Sequence, residues 1–194
     1  QTRAEVIQPR SGDEPAPLSL MQQRVWYLEQ LQIGRTVFHV PSAHRLTGHL
    51  DEAAFSRAFH DLLERQPVLR TVIAMHDGEA VQRLDERGDG SVCRARGLSC
   101  HRKARMFRLG PEEHVLFFMP HHIVFDGWSF DLFYEEMADL YAAHREKRAP
   151  RRPRPPVTYA DFSVWHRGWM QGEQLEREVA YWRDKLAGAP DALD

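Results

Sequence analysis

The sequence predicts an α+β fold on three observations: two strand pairs closed by short turns, five segments with apolar residues at helical spacing, and no strict strand–helix–strand rhythm. A 42% hydrophobic share over 194 residues is enough for a core in one domain or one lobe of something larger. With 26 basic and 28 acidic residues the net charge is −2, so no global field draws the chain to nucleic acid or to an anionic membrane. No apolar run reaches the ~18 residues of a membrane span, and the opening QTRAEVIQPRSGDEPAP lacks the apolar core of a signal peptide. Cys93 and Cys100 match neither a CxxC redox pair nor paired zinc spacings. These features predict a cytoplasmic chain in a reducing compartment, with no nucleic-acid or membrane partner.

Residues 1–16 are polar and Pro-rich and read as a tail, with order beginning at Pro17. Ser19 followed by Gln22 is a capping-box pattern, and Leu20, Val25, Trp26, Leu28 and Leu31 predict a short amphipathic helix ending near Gly34. Thr36 to Leu50 reads as extended strand, broken by Pro41 and closed by Gly48. A second helix starts at Asp51, carries Phe55, Phe59, Leu62 and Leu63 on one face, and stops at Pro67. Val68 to Met75 and Ala80 to Leu84 flank an Asp77-Gly78 turn and predict a β-hairpin. Asp85 to His101 is polar, Gly- and Arg-rich and aperiodic, so it reads as an irregular loop.

Arg105 to Leu109 and His114 to Met119 form a second hairpin around GPEE, which ends on Pro120-His121. Ser129 then caps a helix whose core side is Phe130, Phe133, Met137, Leu140 and Tyr141. Acidic Asp131, Glu135 and Glu136 come early in it and Arg145, Lys147 and Arg148 late, as the helix dipole favours. RAPRRPRPP, from Arg148 to Pro156, can be neither helix nor central strand and reads as a polyproline-like surface linker. Thr158 with Asp161 restarts a helix carrying Phe162, Trp165 and Trp169. A last helix has Leu175, Val179, Trp182 and Leu186 on one face and ends at Gly188 and Pro190.

The stretch MPHHIVFDGWS, Met119 to Ser129, delivers two imidazoles and a carboxylate to one bend. A histidine has an unperturbed pKa of ~6.5, so a neutral ring can accept a proton or hold a reacting group near neutrality. Asp126 can orient a ring or pair with a base to hold the loop, and Gly127 can adopt backbone that a Cβ forbids. An isolated histidine pair at a strand end is nonetheless more often structural or merely exposed. His122 and Asp126 lack a third ligand at a spacing such as HxxxH, so no metal is predicted. The run Arg151-Arg152-Pro153-Arg154 has few interleaved aromatics and reads as solvated linker, and the Trp and Phe stripes of the last helices read as core or as surface for a neighbour.

Taken together, the motifs resemble the N-terminal lobe of condensation domains of non-ribosomal peptide synthetases, which share the chloramphenicol acetyltransferase fold. PLSLMQQRVWYLEQL is similar to the family's SxAQxRLWxL at Ser19, Gln22, Arg24, Trp26 and Leu28. LLERQPVLRT resembles RHExLRT at Arg65, Leu69, Arg70 and Thr71. HHIVFDGWS fills every fixed position of HHxxxDGWS, YADFSVW resembles YxDFAVW, and YWRDKLAGAP resembles YWxxxLAGxP. The resemblance spans residues 17–190, with 191–194 a tail, and implies a lobe of mostly antiparallel or mixed sheet with helices packed on it. Gln66 and Pro67 stand where the family shows His and Glu, Met21 replaces Ala, and the segment between Leu84 and Arg102 is much shorter than the family's.

The resemblance implies amide-bond formation in secondary-metabolite biosynthesis, between a donor acyl-thioester and an acceptor aminoacyl-thioester. Both ride on the phosphopantetheine of partner carrier proteins, and no cofactor is bound directly. By position His122 is the catalytic histidine, either taking the amine proton or positioning the amine and stabilising the tetrahedral intermediate. Gly127 offers its backbone N–H to the donor carbonyl. His121, Asp126, Arg70, Trp128 and Ser129 are supporting residues, with Asp126 implied to pair with Arg70. The implied partners are the donor and acceptor carrier domains, a C-terminal lobe, and adjacent synthetase modules. Histidines rather than aspartates at the first motif positions argue against heterocyclisation. The alternatives are a non-catalytic module that docks carrier proteins or another lobe, and a free-standing acyltransferase that completes its tunnel by self-association.

Overall fold

The structure, a computed structural model, describes residues 6–12, 14–31, 37–85 and 103–190. The expected irregular loop from Asp85 to His101, and both cysteines, fall almost wholly outside these residues. Their elements run β1 (Ala16–Pro17), α1 (Leu20–Leu31), β2 (Ser42–Thr47), α2 (Glu52–Arg65), a 3₁₀ turn (Pro67–Arg70), β3 (Thr71–His76), β4 (Glu79–Leu84), β5 (Lys103–Gly110), β6 (Glu113–Met119), α3 (Gly127–Glu146), α4 (Tyr159–Trp169) and α5 (Gly172–Lys185). The α+β expectation is borne out. Among the described residues the strands form two sheets, ordered β1-β4-β3 and β2-β6-β5, and every pairing is antiparallel.

Both hairpins form where turn chemistry placed them. Asp77 and Gly78 sit at φ 50° and 83°, the two positive values of a type I′ turn that matches strand twist. The first strand starts at Thr71 rather than Val68, because Pro67–Arg70 winds into a 3₁₀ turn first. Of the segment expected to be extended from Thr36 to Leu50, the described residues form strand at Ser42–Thr47 and a bridge at His39. Packing begins ahead of Pro17, since Ala16 is buried and pairs with Gln82.

On β6 the side chains alternate, so that His114, Leu116 and Phe118 face inward. Phe118 is fully buried and stacks on Phe133 of α3 at 4.5 Å between ring centroids. Leu62 and Leu63 of α2 and Met137 and Leu140 of α3 complete this main core. A smaller cluster joins Leu18, Ile73 and Ile123. The loop after β6 is thereby held by two cores: Ile123 enters the small one, Phe125 the main one, and Val124 packs against both.

The basic linker is held by acids of α3. Arg148 meets Asp139 at 3.1 Å, the backbone N–H of Arg151 donates to the same carboxylate at 2.7 Å, and Arg152 pairs with Glu135. Beyond it, α4 starts at Thr158 and Asp161 as expected, and the two residues form a capping box. Burial raises the Asp161 carboxyl, but hydrogen bonds from the N–H groups of Thr158 (2.5 Å) and Arg10 (2.8 Å) and from the Thr158 hydroxyl (2.8 Å) outweigh it and hold the group below the ordinary carboxylate range. A depressed folded-state pKa gives stability that is present above the unfolded value of ~3.9 and is lost as pH falls through the folded value. Asp161→Asn is therefore expected to cost about 1–3 kcal/mol at neutral pH and to flatten the loss of stability below about pH 4. Urea midpoints measured across pH check both.

The last helix buries no residue. Its apolar face, with Leu175 at 44%, Val179 at 45%, Trp182 at 57% and Leu186 at 60% exposure, is open in this chain. No helix among the described residues is long and apolar enough to cross a membrane.

Candidate functional site

The β6 strand ends at Met119, and the chain turns through His121–Val124 into α3. Two backbone bonds from the neighbouring segment fix this turn, His122 N–H to the Phe38 carbonyl at 2.7 Å and Val40 N–H to the Pro120 carbonyl at 2.9 Å, and together they make an antiparallel bridge between His39 and His121. Side chains alternate along it. His121, Ile123 and Phe125 are buried, whereas His122 and Asp126 are exposed. The residues that anchor the turn are thus interleaved with those it presents.

His122 Nδ1 lies 2.8 Å from the carbonyl oxygen of Phe125. A carbonyl can only accept, so in the neutral ring the proton sits on Nδ1 and Nε2 is left as the acceptor. The residue lines a cleft of about 360 Å³ together with Met21, Gln22 and Val25 of α1 and Tyr159 of α4. The walls are mainly apolar around one imidazole with an assigned acceptor atom, a composition suited to positioning an organic substrate.

His121 is 2% exposed and faces the other way. Its Nδ1 accepts the Ile123 N–H at 3.1 Å, so its proton lies on Nε2, and that atom is 3.4 Å from Glu29 Oε2. Glu29 and Gln22 are the two buried residues of α1 and lie on one face of it. Burial pushes the Glu29 carboxyl up from its ordinary value. Gln22 closes the capping box with Ser19, whose hydroxyl reaches the Tyr159 hydroxyl at 3.0 Å and so links α1 to α4 across the cleft.

Several expectations for the bend are corrected. Asp126 makes no ion pair with Arg70 among the described residues. It caps α3, taking the Ser129 N–H at 2.9 Å and the Ser129 hydroxyl at 2.6 Å, while Arg70 Nε donates to the Leu63 carbonyl at 3.0 Å. Helix-terminal donors lie closer to this carboxylate than the guanidinium does. For the same reason Ser129 is not the cap but the third residue of the helix, its hydroxyl closing the box on the Asp126 N–H at 3.3 Å. Gly127 needs no special backbone: its φ lies outside the left-handed region and a Cβ built there meets nothing within 4 Å. Trp128 is 76% exposed and supports no core here.

The hydrogen bond from the Ser129 hydroxyl, with that from its N–H, pulls the Asp126 carboxyl below its ordinary value. Asp126→Ala is expected to cost about 0.5–2 kcal/mol, the range for a lost helix cap. Asp126→Asn, which keeps an acceptor oxygen, is expected to lose less, as thermal or urea unfolding of the two variants will show.

Sequence reasoning did not find Glu29 or the buried Arg65–Glu136 pair, which meets at 2.5 Å with Gln66 donating to the second carboxylate oxygen at 2.7 Å. Glu29 carried one usable signal, a carboxylate seven residues after Gln22 on an otherwise apolar helix face.

A family model described as a condensation domain matches residues 13–94 and 100–194. One of the linear gramicidin synthase proteins of Brevibacillus parabrevis is 38% identical over 220 residues, which take in 100% of this chain and 4% of that protein. Among solved structures, the X-domain in complex with OxyB from teicoplanin biosynthesis superposes with a TM-score of 0.80 at 26% identity, covering 98% of this chain and 48% of that one. The first condensation domain of the CDA synthetase superposes at 0.75, with 21% identity and 93% and 52% coverage, a likeness of fold. The chain therefore spans about half the length of these solved chains and a small part of the synthetase.

Proposed function

The chain belongs to the condensation-domain family, and from that premise we propose that it is one lobe of an enzyme joining two thioester-tethered substrates through an amide bond in non-ribosomal peptide biosynthesis. The donor acyl group and the acceptor aminoacyl group each arrive on the phosphopantetheine of a carrier protein. The acceptor nitrogen bonds to the donor carbonyl carbon, the C–S bond breaks, and the nitrogen's proton is carried to the departing thiolate. His122 Nε2 is the atom that accepts from the amine, either as base or as the group that holds it on line. The N–H groups of Gly127 and Trp128 belong to the first turn of α3, have no partner within the helix, and suit the negative charge that builds on the donor oxygen.

The observation that carries this reading is His122: exposed at a cleft, with its ring turned and its tautomer assigned by the Phe125 carbonyl. The test supplies donor- and acceptor-loaded carrier proteins to a two-lobed protein containing this chain and measures the amide product. The exposed α5 face and the likeness to an X-domain solved in complex with OxyB favour a second reading, a docking module without chemistry. On that reading stable complexes form and no amide appears.

A further inference from the structure

We infer that Glu29 is a positioning residue for the histidine turn: its buried carboxylate, facing His121 Nε2 at 3.4 Å, draws the ring proton to that nitrogen and so selects the His121 tautomer that anchors the turn and thereby aims His122. The inference rests on the proposed role of His122 but stands on its own geometry.

The chain of contacts begins on α1. Glu29 is 9% exposed and its Oε2 lies 3.4 Å from His121 Nε2. An imidazole that meets a carboxylate oxygen on one nitrogen and a backbone N–H on the other can satisfy both in one neutral form only, with the proton on Nε2 and the lone pair on Nδ1. That lone pair is what the Ile123 N–H finds at 3.1 Å. Ile123 is inserted in the small core, so the bond ties the backbone on the far side of His122 to a buried ring. His122 itself is bracketed, its N–H held by the Phe38 carbonyl and its Nδ1 by the Phe125 carbonyl. If His121 took the other tautomer, Nδ1–H would meet Ile123 N–H head-on, one donor against another, and the backbone carrying His122 would have to rotate.

A carboxylate taken out of water at this point costs stability, and on α1 an apolar residue would pack the same space without that cost. The acceptor is therefore better explained by what it does to the ring. Glu29 touches no substrate in this scheme and acts through His121 alone.

The test compares Glu29→Gln and Glu29→Leu in the protein that carries this chain. The Gln amide can turn its oxygen, with its partial negative charge, to the same Nε2–H, so Glu29→Gln is expected to keep turnover within a few-fold of wild type. Glu29→Leu removes the carboxylate and is expected to lower kcat on the order of 10–100-fold, the scale seen when a partner that orients a metal-ligating histidine is lost, with KM little changed. Nitrogen-15 NMR of the imidazoles reads the cause directly: His121 should show a protonated Nε2 and a bare Nδ1 in wild type and Glu29→Gln, and averaged tautomers in Glu29→Leu. An Nδ1–H form of His121 in wild type overturns the inference even if Glu29→Leu fails to fold, as does unchanged kcat in a folded Glu29→Leu. The NMR arm needs no reaction, so it judges Glu29 whether or not the amide-forming reading survives.

Discussion

Replacing His122 with Ala is expected to lower amide transfer between loaded carrier proteins by about 10²–10⁴-fold, the usual contribution of a positioned general base, while leaving the fold almost untouched. The two effects separate because of where the residue sits. His122 is exposed and leaves no cavity when truncated, and the bond from its ring to the Phe125 carbonyl is a single neutral one worth about 0.5–1.5 kcal/mol. Any large loss of turnover therefore comes from the chemistry and not from unfolding. His122→Asn divides the two roles left open for the ring. An amide can hold the amine by a hydrogen bond but cannot take its proton near neutral pH, so recovery of activity in Asn over Ala marks positioning, and equal loss marks proton transfer. Turnover unchanged in His122→Ala, with the protein folded, removes the histidine from the mechanism.

What could be read in the sequence was what is local. The Asp77-Gly78 hairpin, the Ser19–Gln22 and Thr158–Asp161 boxes and the helix face of Phe133, Met137 and Leu140 each depend on residues a few positions apart, and all form. At the start of α3 local information was ambiguous, since Asp126 and Ser129 are both capping residues three apart. The helix begins at the earlier one, and that change frees Arg70 from the pairing expected of it. The pairing of β2 with β6 and of β1 with β4 joins segments far apart in the chain, which no short-range pattern specifies. So the hairpins were legible and the two sheets were not. Glu29 and Glu136 were missed for the same reason: an acidic residue on a helix reads as solvated until a distant histidine or arginine is brought against it. The apolar face of α5 was legible as amphipathic, but none of the described residues covers it.

The buried pair behind the second motif leads to the other large effect. Arg65→Ala is expected to cost about 3–5 kcal/mol, the penalty for removing one partner of a buried ion pair. The side chains of Arg65 and Glu136 are only 8% and 10% exposed, and the arginine also donates to the carbonyls of Arg152 and Pro153, fastening the linker to α2. Removing it leaves the Glu136 carboxylate between α2 and α3 with the Gln66 amide alone. The departure at Gln66 thus has a structural use, as the neutral donor that completes this carboxylate's shell. The pair itself need not be a net source of stability, because desolvating two charges offsets most of their attraction. Arg65→Met combined with Glu136→Leu is accordingly expected to lose much less than Arg65→Ala, the freed Arg152 and Pro153 carbonyls being exposed enough to take water. Urea denaturation of the two single variants and the double variant gives the coupling energy. A double variant as unstable as Arg65→Ala would mean that the tether to the linker, rather than the orphaned carboxylate, carries the loss.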